Sequence, residues 1–122
     1  MILPKTTECI LRLEKSWLTI WFNRPEKRNS LSKILIKEIN HTLDLVENDP
    51  SVRGVIFRGK GNVFCAGADL KWMQSIASEK NNSSDLAMQM SLEFGGMFDN
   101  INNLSKVTIS IVEGACIAGA VG

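Results

Sequence analysis

A helical stripe lies between two strand-like runs, and that order limits the fold more than any other feature of this chain. Leu31, Leu35, Ile39, Leu43 and Val46 recur every three or four residues, which places them on one face of a helix. Before the stripe stand residues 17–22, rich in aromatic and β-branched side chains, and after it comes a second apolar run over residues 52–58. The helix is expected to end near Asn48, because Asp49 precedes Pro50 and such a residue disfavours helical geometry. Ser30 or Ser32 can cap its start. A strand, a helix and a strand in this order imply an α/β layer with a crossover connection.

The pattern extends in both directions. Cys9, Leu11 and Leu13 alternate with polar neighbours such as Arg12, so residues 9–13 read as a strand. Glu14-Lys15-Ser16 separates it from residues 17–22, which predicts a hairpin. Residues 69–77 have helical character, and residues 79–84 (Glu-Lys-Asn-Asn-Ser-Ser) read as a polar, mobile linker. Asp85 then opens a longer helix with Leu86, Met90, Phe94, Met97, Ile101 and Leu104 on one side. Its Gly95-Gly96 pair weakens it locally and reads as a point of close packing with a neighbour. Residues 107–112 form the last strand, giving the order β-β-α-β-α-β followed by a loop.

Bulk properties remove several function classes. A chain of 122 residues is one domain or part of one. With 44% hydrophobic and 22% charged residues and a net charge of +1, it reads as globular, without a basic field for nucleic acid. Cys9, Cys65 and Cys116 are odd in number and widely spaced, with no CxxC, so they read as reduced thiols in a cytoplasmic protein rather than as metal ligands. Cys65 as a nucleophile would need His41, the only histidine, which falls on the polar face of the first helix. No apolar run approaches the ~18 residues of a membrane-spanning helix, and residues 1–5 lack a signal-peptide core. Gly59, Gly61 and Gly67 do not form GxGxxG, and no Walker lysine is present.

Two loops carry the chemistry. Phe64-Cys65-Ala66-Gly67-Ala68-Asp69-Leu70 is small and apolar where a surface loop is normally polar, and it follows the third strand. Residues 114–122 (Gly-Ala-Cys-Ile-Ala-Gly-Ala-Val-Gly) are similarly small and follow the fourth. Few side chains stand between such backbones and a ligand. Two such loops suggest two backbone N–H groups aimed at one oxygen, an oxyanion hole suited to acyl-transfer or enolate chemistry.

Residues 22–31, 64–73 and 112–122, in this order and spacing, resemble the enoyl-CoA hydratase/isomerase (crotonase) superfamily. Within it, Gly67-Ala68-Asp69-Leu70-Lys71-Trp72-Met73-Gln74 and Gly119-Ala120-Val121-Gly122 look most like the methylglutaconyl-CoA hydratases of leucine breakdown. The resemblance covers nearly the whole chain but only about half of the family's domain. It implies a crotonase-like spiral of ββα units, with residues 1–122 as an amino-terminal fragment of one domain. Full-length members assemble as trimers or pairs of trimers.

The resemblance also implies site residues. Ala68 and Gly119 match the backbone donors that hold the thioester carbonyl and stabilise an enolate. Ala66, Ala68, Asp69 and Leu70 match the main-chain positions that bind the CoA moiety. Lys27 and Arg28 lie in the loop flanking the CoA phosphates. Trp72 and Met73 either pack in the core or wall the acyl pocket. The substrate is an acyl-CoA, the reaction a lyase-type hydration, and no separate cofactor or metal is needed. Many family hydratases carry a glutamate three residues after the Gly119 position, where this chain has Gly122. Glu113 precedes the loop and is expected to face elsewhere. The fragment alone is therefore expected to be inactive. Three other readings stand beside this one: another crotonase-type reaction such as double-bond isomerisation, a non-catalytic remnant associating through open strand edges, and RNA binding. For RNA, Lys33 and Lys37 are offset by Glu38, Asp44 and Glu47, so a basic comb is absent.

Overall fold

The computed structural model describes residues 1–79 and 82–122. Its strands are β1 (Cys9–Glu14), β2 (Trp17–Phe22), β3 (Gly54–Gly59), β4 (Val63–Cys65), β5 (Val107–Ser110) and β6 (Ala115–Cys116). Its helices are α1 (Lys33–Glu47), α2 (Leu70–Ser78) and α3 (Ser83–Asn102), with 3-10 turns at Pro25–Lys27 and Ala118–Ala120. The main sheet has the order β1-β2-β3-β5, with β1 antiparallel to β2 and the others parallel. The predicted hairpin is present. Lys15 (φ 50°) and Ser16 (φ 70°) form its turn in left-handed geometry, which matches the twist of the flanking strands.

One face of the sheet carries the core. Leu18, Ile20 and Phe22 of β2 are buried beside Val55 and Phe57 of β3. α1 covers them with Leu35, Ile36, Ile39, Leu43 and Val46, all buried. Burying each such side chain contributes about 1.5–3 kcal/mol, so this stripe anchors the fold. Ser32 is the N-cap, its Oγ accepting the Leu35 N–H at 3.0 Å. Ser30 is not the cap, and Leu31 lies before the helix, where it bridges to Ala68. On the opposite sheet face, Trp21 lies under Arg58 and Lys60, 4.3 and 3.9 Å from its ring centre.

Three expectations are corrected. β4 and β6 pair in parallel as a separate two-stranded sheet, which runs of three and two residues are too short to announce. The order is therefore β-β-α-β-β-α-α-β-β. The long helix starts at Ser83 rather than Asp85, so Ser83 and Ser84 belong to it; residues 80–81 of the expected linker lie outside the described residues. Finally, Gly95 and Gly96 do not mark close packing. A Cβ built at either meets nothing within 4 Å. Met97 is the one buried residue of the α3 stripe, while Phe94, Ile101 and Leu104 pack half-buried against the core.

Parallel strands end on one edge of a sheet, so the segments that follow β2, β3 and β5 are delivered to the same edge. These are the loop at 23–32, the loop at 60–70 that includes β4, and residues 111–122. The two small-residue loops thus meet at the carboxyl ends of the strands. β5 itself is an edge strand with all four residues exposed.

Candidate functional site

The 64–70 loop is held by a ladder of backbone hydrogen bonds to the 28–31 segment. Ala66 N–H donates to Arg28 O at 3.0 Å, Leu31 N–H to Gly67 O at 2.7 Å, and Asp69 N–H to Leu31 O at 3.0 Å. Gly67 N–H donates to Cys65 Sγ at 3.4 Å. In this bridge Ala68 is the residue whose own N–H points away from Leu31. It has no hydrogen-bond partner among the described residues.

The second loop is tied to the first at its root. Ile117 N–H donates to Cys65 O at 3.1 Å. Ala120 N–H and Val121 N–H close the 3-10 turn onto Ile117 O and Ala118 O. Gly119 N–H, like those of Ala118 and Gly122, is left without a partner among the described residues. Gly67, at φ +92°, is required where the loops touch. A Cβ there would lie 3.0 Å from Ala118 Cβ, 3.1 Å from Ile117 O and 3.3 Å from Gly119 N. The structure therefore brings the Ala68 and Gly119 segments together, with both of these N–H groups unpartnered.

Arg24 and Asn29 organise this arrangement, and sequence reasoning did not single them out. The mostly buried Arg24 guanidinium pairs with Asp69 at 2.9 Å and Glu8 at 3.2 Å, and donates to Ser30 O at 2.5 Å. Glu8 also accepts from Ser32 Oγ. Asn29 is fully buried and joins the 23–32 loop to Lys60 O and Val63 O. The available signal was a charged and an amide side chain in a proline loop between two apolar elements, where unpaired polar groups would be costly.

The other expected residues fall as follows. Asp69 caps α2 by accepting the Lys71 N–H at 2.9 Å, so its carboxylate is engaged by both the helix and Arg24. Lys27 and Arg28 are exposed on the loop rim without an ion-pair partner among the described residues. Ala66 is half-buried and Leu70 exposed. Trp72 packs, stacking on Phe94 at 5.8 Å, whereas Met73 is exposed. Glu113 pairs with Arg58 away from the loops. His41 is exposed on α1 while Cys65 is buried, and burial pushes the Cys65 thiol above its ordinary range.

Beneath the Gly119 turn lies a cavity of about 120 Å³, lined by Phe22, Phe57, Phe64, Met97, Phe98 and residues 119–122, among others. Its lining contains no carboxylate, histidine or lysine. A Cβ at Gly122 would lie 3.2 Å from the Phe98 ring, so a glutamate there would require that ring to move. Among the described residues no three metal-ligating side chains gather, and no helix is long and apolar enough to cross a membrane.

Sheet, crossover helix and paired small-residue turns define an α/β scaffold that presents free backbone donors at the carboxyl ends of its strands. Residues 12–122 match the enoyl-CoA hydratase/isomerase family, and the chain belongs to it. It is 35% identical to a mitochondrial Δ(3,5)-Δ(2,4)-dienoyl-CoA isomerase of Dictyostelium discoideum, over 98% of this chain and 44% of that protein. It is 34% identical to human mitochondrial methylglutaconyl-CoA hydratase, over 84% of this chain and 29% of that protein. Among solved structures, an enoyl-CoA hydratase/isomerase from Marinobacter aquaeolei superposes with a TM-score of 0.85 at 36% identity, over 93% of this chain and 44% of that one. One from Xanthobacter autotrophicus gives 0.86 at 31% identity, over 95% and 42%. The chain thus has the crotonase fold of the amino-terminal part and spans less than half the length of these relatives.

Proposed function

We propose that residues 1–122 form the thioester-binding, amino-terminal part of one enoyl-CoA hydratase/isomerase domain. Ala68 N–H and Gly119 N–H hold the thioester carbonyl of an enoyl-CoA. The observation that carries this reading is the pair of touching loops in which Ala68 N–H and Gly119 N–H are both unpartnered. As a nucleophile or proton adds across the conjugated double bond, charge moves onto the carbonyl oxygen. Two preorganised donors stabilise that enolate, and losing one costs about 3 kcal/mol, roughly a hundredfold in rate. Lys27 and Arg28 meet the CoA phosphates, and the main chain at 66–70 binds the CoA moiety. CoA enters as part of the substrate, so no separate cofactor is required.

Methylglutaconyl-CoA is the preferred acyl-CoA on the strength of the 67–74 and 119–122 segments. Hydration needs a general acid and base, and the cavity lining offers neither. This chain by itself accordingly binds but does not turn over. Together with the rest of a domain it assembles as trimers or hexamers, and three free thiols suit a reducing cytoplasm. The dienoyl-CoA isomerase relative favours a second reading, isomerisation, which uses the same enolate and the same donors.

Isotope-edited infrared spectroscopy tests the donors. A 13C-labelled enoyl-CoA bound to the chain should show its carbonyl stretch shifted to lower frequency, and a CoA thioether lacking the carbonyl should bind more weakly. An unshifted carbonyl, or clear hydration of methylglutaconyl-CoA or crotonyl-CoA by the chain alone, refutes the reading.

A further inference from the structure

We propose that Cys65 and Cys116 form a reversible thiol–disulfide pair that staples the roots of the two small-residue loops. They are partners in the parallel pairing of β4 and β6, just past a register shift between Val63 and Cys65. Residues opposite one another in neighbouring strands share a face, and the strands lie about 4.8 Å apart. That spacing falls within the roughly 4.4–6.8 Å between the Cα atoms of a disulfide. The Ile117 N–H to Cys65 O bond, 3.1 Å, fixes this register. Each cysteine stands three residues before an unpartnered N–H, Cys65 before Ala68 and Cys116 before Gly119. The third thiol, Cys9, sits in the other sheet, opposite Phe22.

Exposure sets the order of events. Cys116 is half-exposed and Cys65 buried. With a low-molecular-weight disulfide RSSR as oxidant, the Cys116 thiolate attacks one sulfur and releases RSH, leaving a mixed disulfide on Cys116. The Cys65 thiolate then attacks Cys116 Sγ and expels the second RSH. Two protein thiols lose two electrons and two protons, and RSSR is reduced to two RSH. A dithiol reductant reverses the sequence. Burial raises the Cys65 thiol above its ordinary range, which makes the second step slow at neutral pH and faster as pH rises. The hydrogen bond from Gly67 N–H to Cys65 Sγ partly offsets this. Closing the bond fixes β4 against β6, so any change in their spacing passes to both loops.

Peptide mapping decides the matter without depending on acyl-CoA binding. The folded chain is incubated with oxidised glutathione at mildly alkaline pH. Free thiols are then alkylated with excess reagent in denaturant, so that buried Cys9 also reacts, and the digest is analysed unreduced by mass spectrometry. The expected result is a Cys65–Cys116 cross-linked peptide with Cys9 alkylated, so that two of the three thiols are lost to alkylation. Dithiothreitol should restore them. In urea the selectivity should vanish, because Cys9 to Cys65 and Cys65 to Cys116 are similar separations along the chain. Persistence of Cys116 as a glutathione mixed disulfide, or pairing of Cys9 in the folded chain, overturns the proposal. Cys116→Ser should abolish the cross-link; a cross-link from Cys65 to Cys9 in that variant equally overturns it.

Discussion

Replacing Asn29 should be among the most damaging single changes in this chain, although it touches neither the core stripe nor a proposed donor. Asn29 is fully buried and left-handed, with φ 55°. Its Oδ1 accepts the Arg24 N–H, and its Nδ2 donates to Lys60 O and Val63 O, each at 2.8 Å. Asn29→Ala strands one N–H and two carbonyls. An orphaned buried group costs about 1–3 kcal/mol, so at the low end the three together cost about 3 kcal/mol. Alanine in the left-handed region adds roughly 1 kcal/mol. The expected loss of about 4 kcal/mol is a large share of the ~5–15 kcal/mol that domains typically have. Urea unfolding followed by tryptophan fluorescence measures it. Asn29→Gly removes the backbone strain and should recover about 1 kcal/mol relative to alanine. Asn29→Asp keeps the acceptor for Arg24 but sets a carboxylate oxygen against two carbonyls. It should be as harmful as alanine at neutral pH; the carbonyls favour the protonated acid, which can donate, so stability should partly recover as pH falls toward about 4. An alanine variant within about 1 kcal/mol of the parent, or an aspartate variant equal to it, would refute the reasoning.

Other changes should act in both directions. Gly96→Ala should stabilise the chain by about 1 kcal/mol, since the added methyl lies in a helix interior and meets open space; thermal melts followed by circular dichroism check this. Ala118→Gly should also stabilise by about 1 kcal/mol, because Ala118 holds a left-handed φ of 54°; a lower midpoint in urea would count against that assignment. Alkaline pH should weaken the fold through Cys9, whose thiol burial pushes from 9.0 up to about 12. The folded chain keeps a proton that the unfolded chain releases. Stability is therefore full below pH 9 and falls by at most about 1.4 kcal/mol per unit above it. A Cys9→Ala chain should show a shallower alkaline limb in the same titration.

Much of the scaffold was legible because its signals are periodic. The Leu35-to-Val46 stripe and the alternation in residues 9–22 reflect burial on one face, and both appear as read. What escaped has no period. β4 and β6 exist because their neighbours hold them, as the bond from Ile117 N–H to Cys65 O illustrates. Leu31 fitted the helical stripe by spacing, yet it is buried through a bridge to Ala68, a contact spanning the chain. Gly95-Gly96 was misread because a glycine pair looks the same whether it admits a neighbour or faces empty space. The two loops were visible in composition. The Arg24–Asp69 and Asn29 contacts that fix their shape were not, since a long-range polar pair leaves no mark on local sequence.

The edge strand β5 makes the stability of this chain a quantity without a single value. Val107 is 56% exposed and Ile109 41%, on a strand with one side unpaired. Anything that covers that edge binds the folded state and not the unfolded one. By mass action it adds RT ln(1 + [L]/Kd) to the free energy of unfolding. The melting temperature then rises with the concentration of any species that covers that edge.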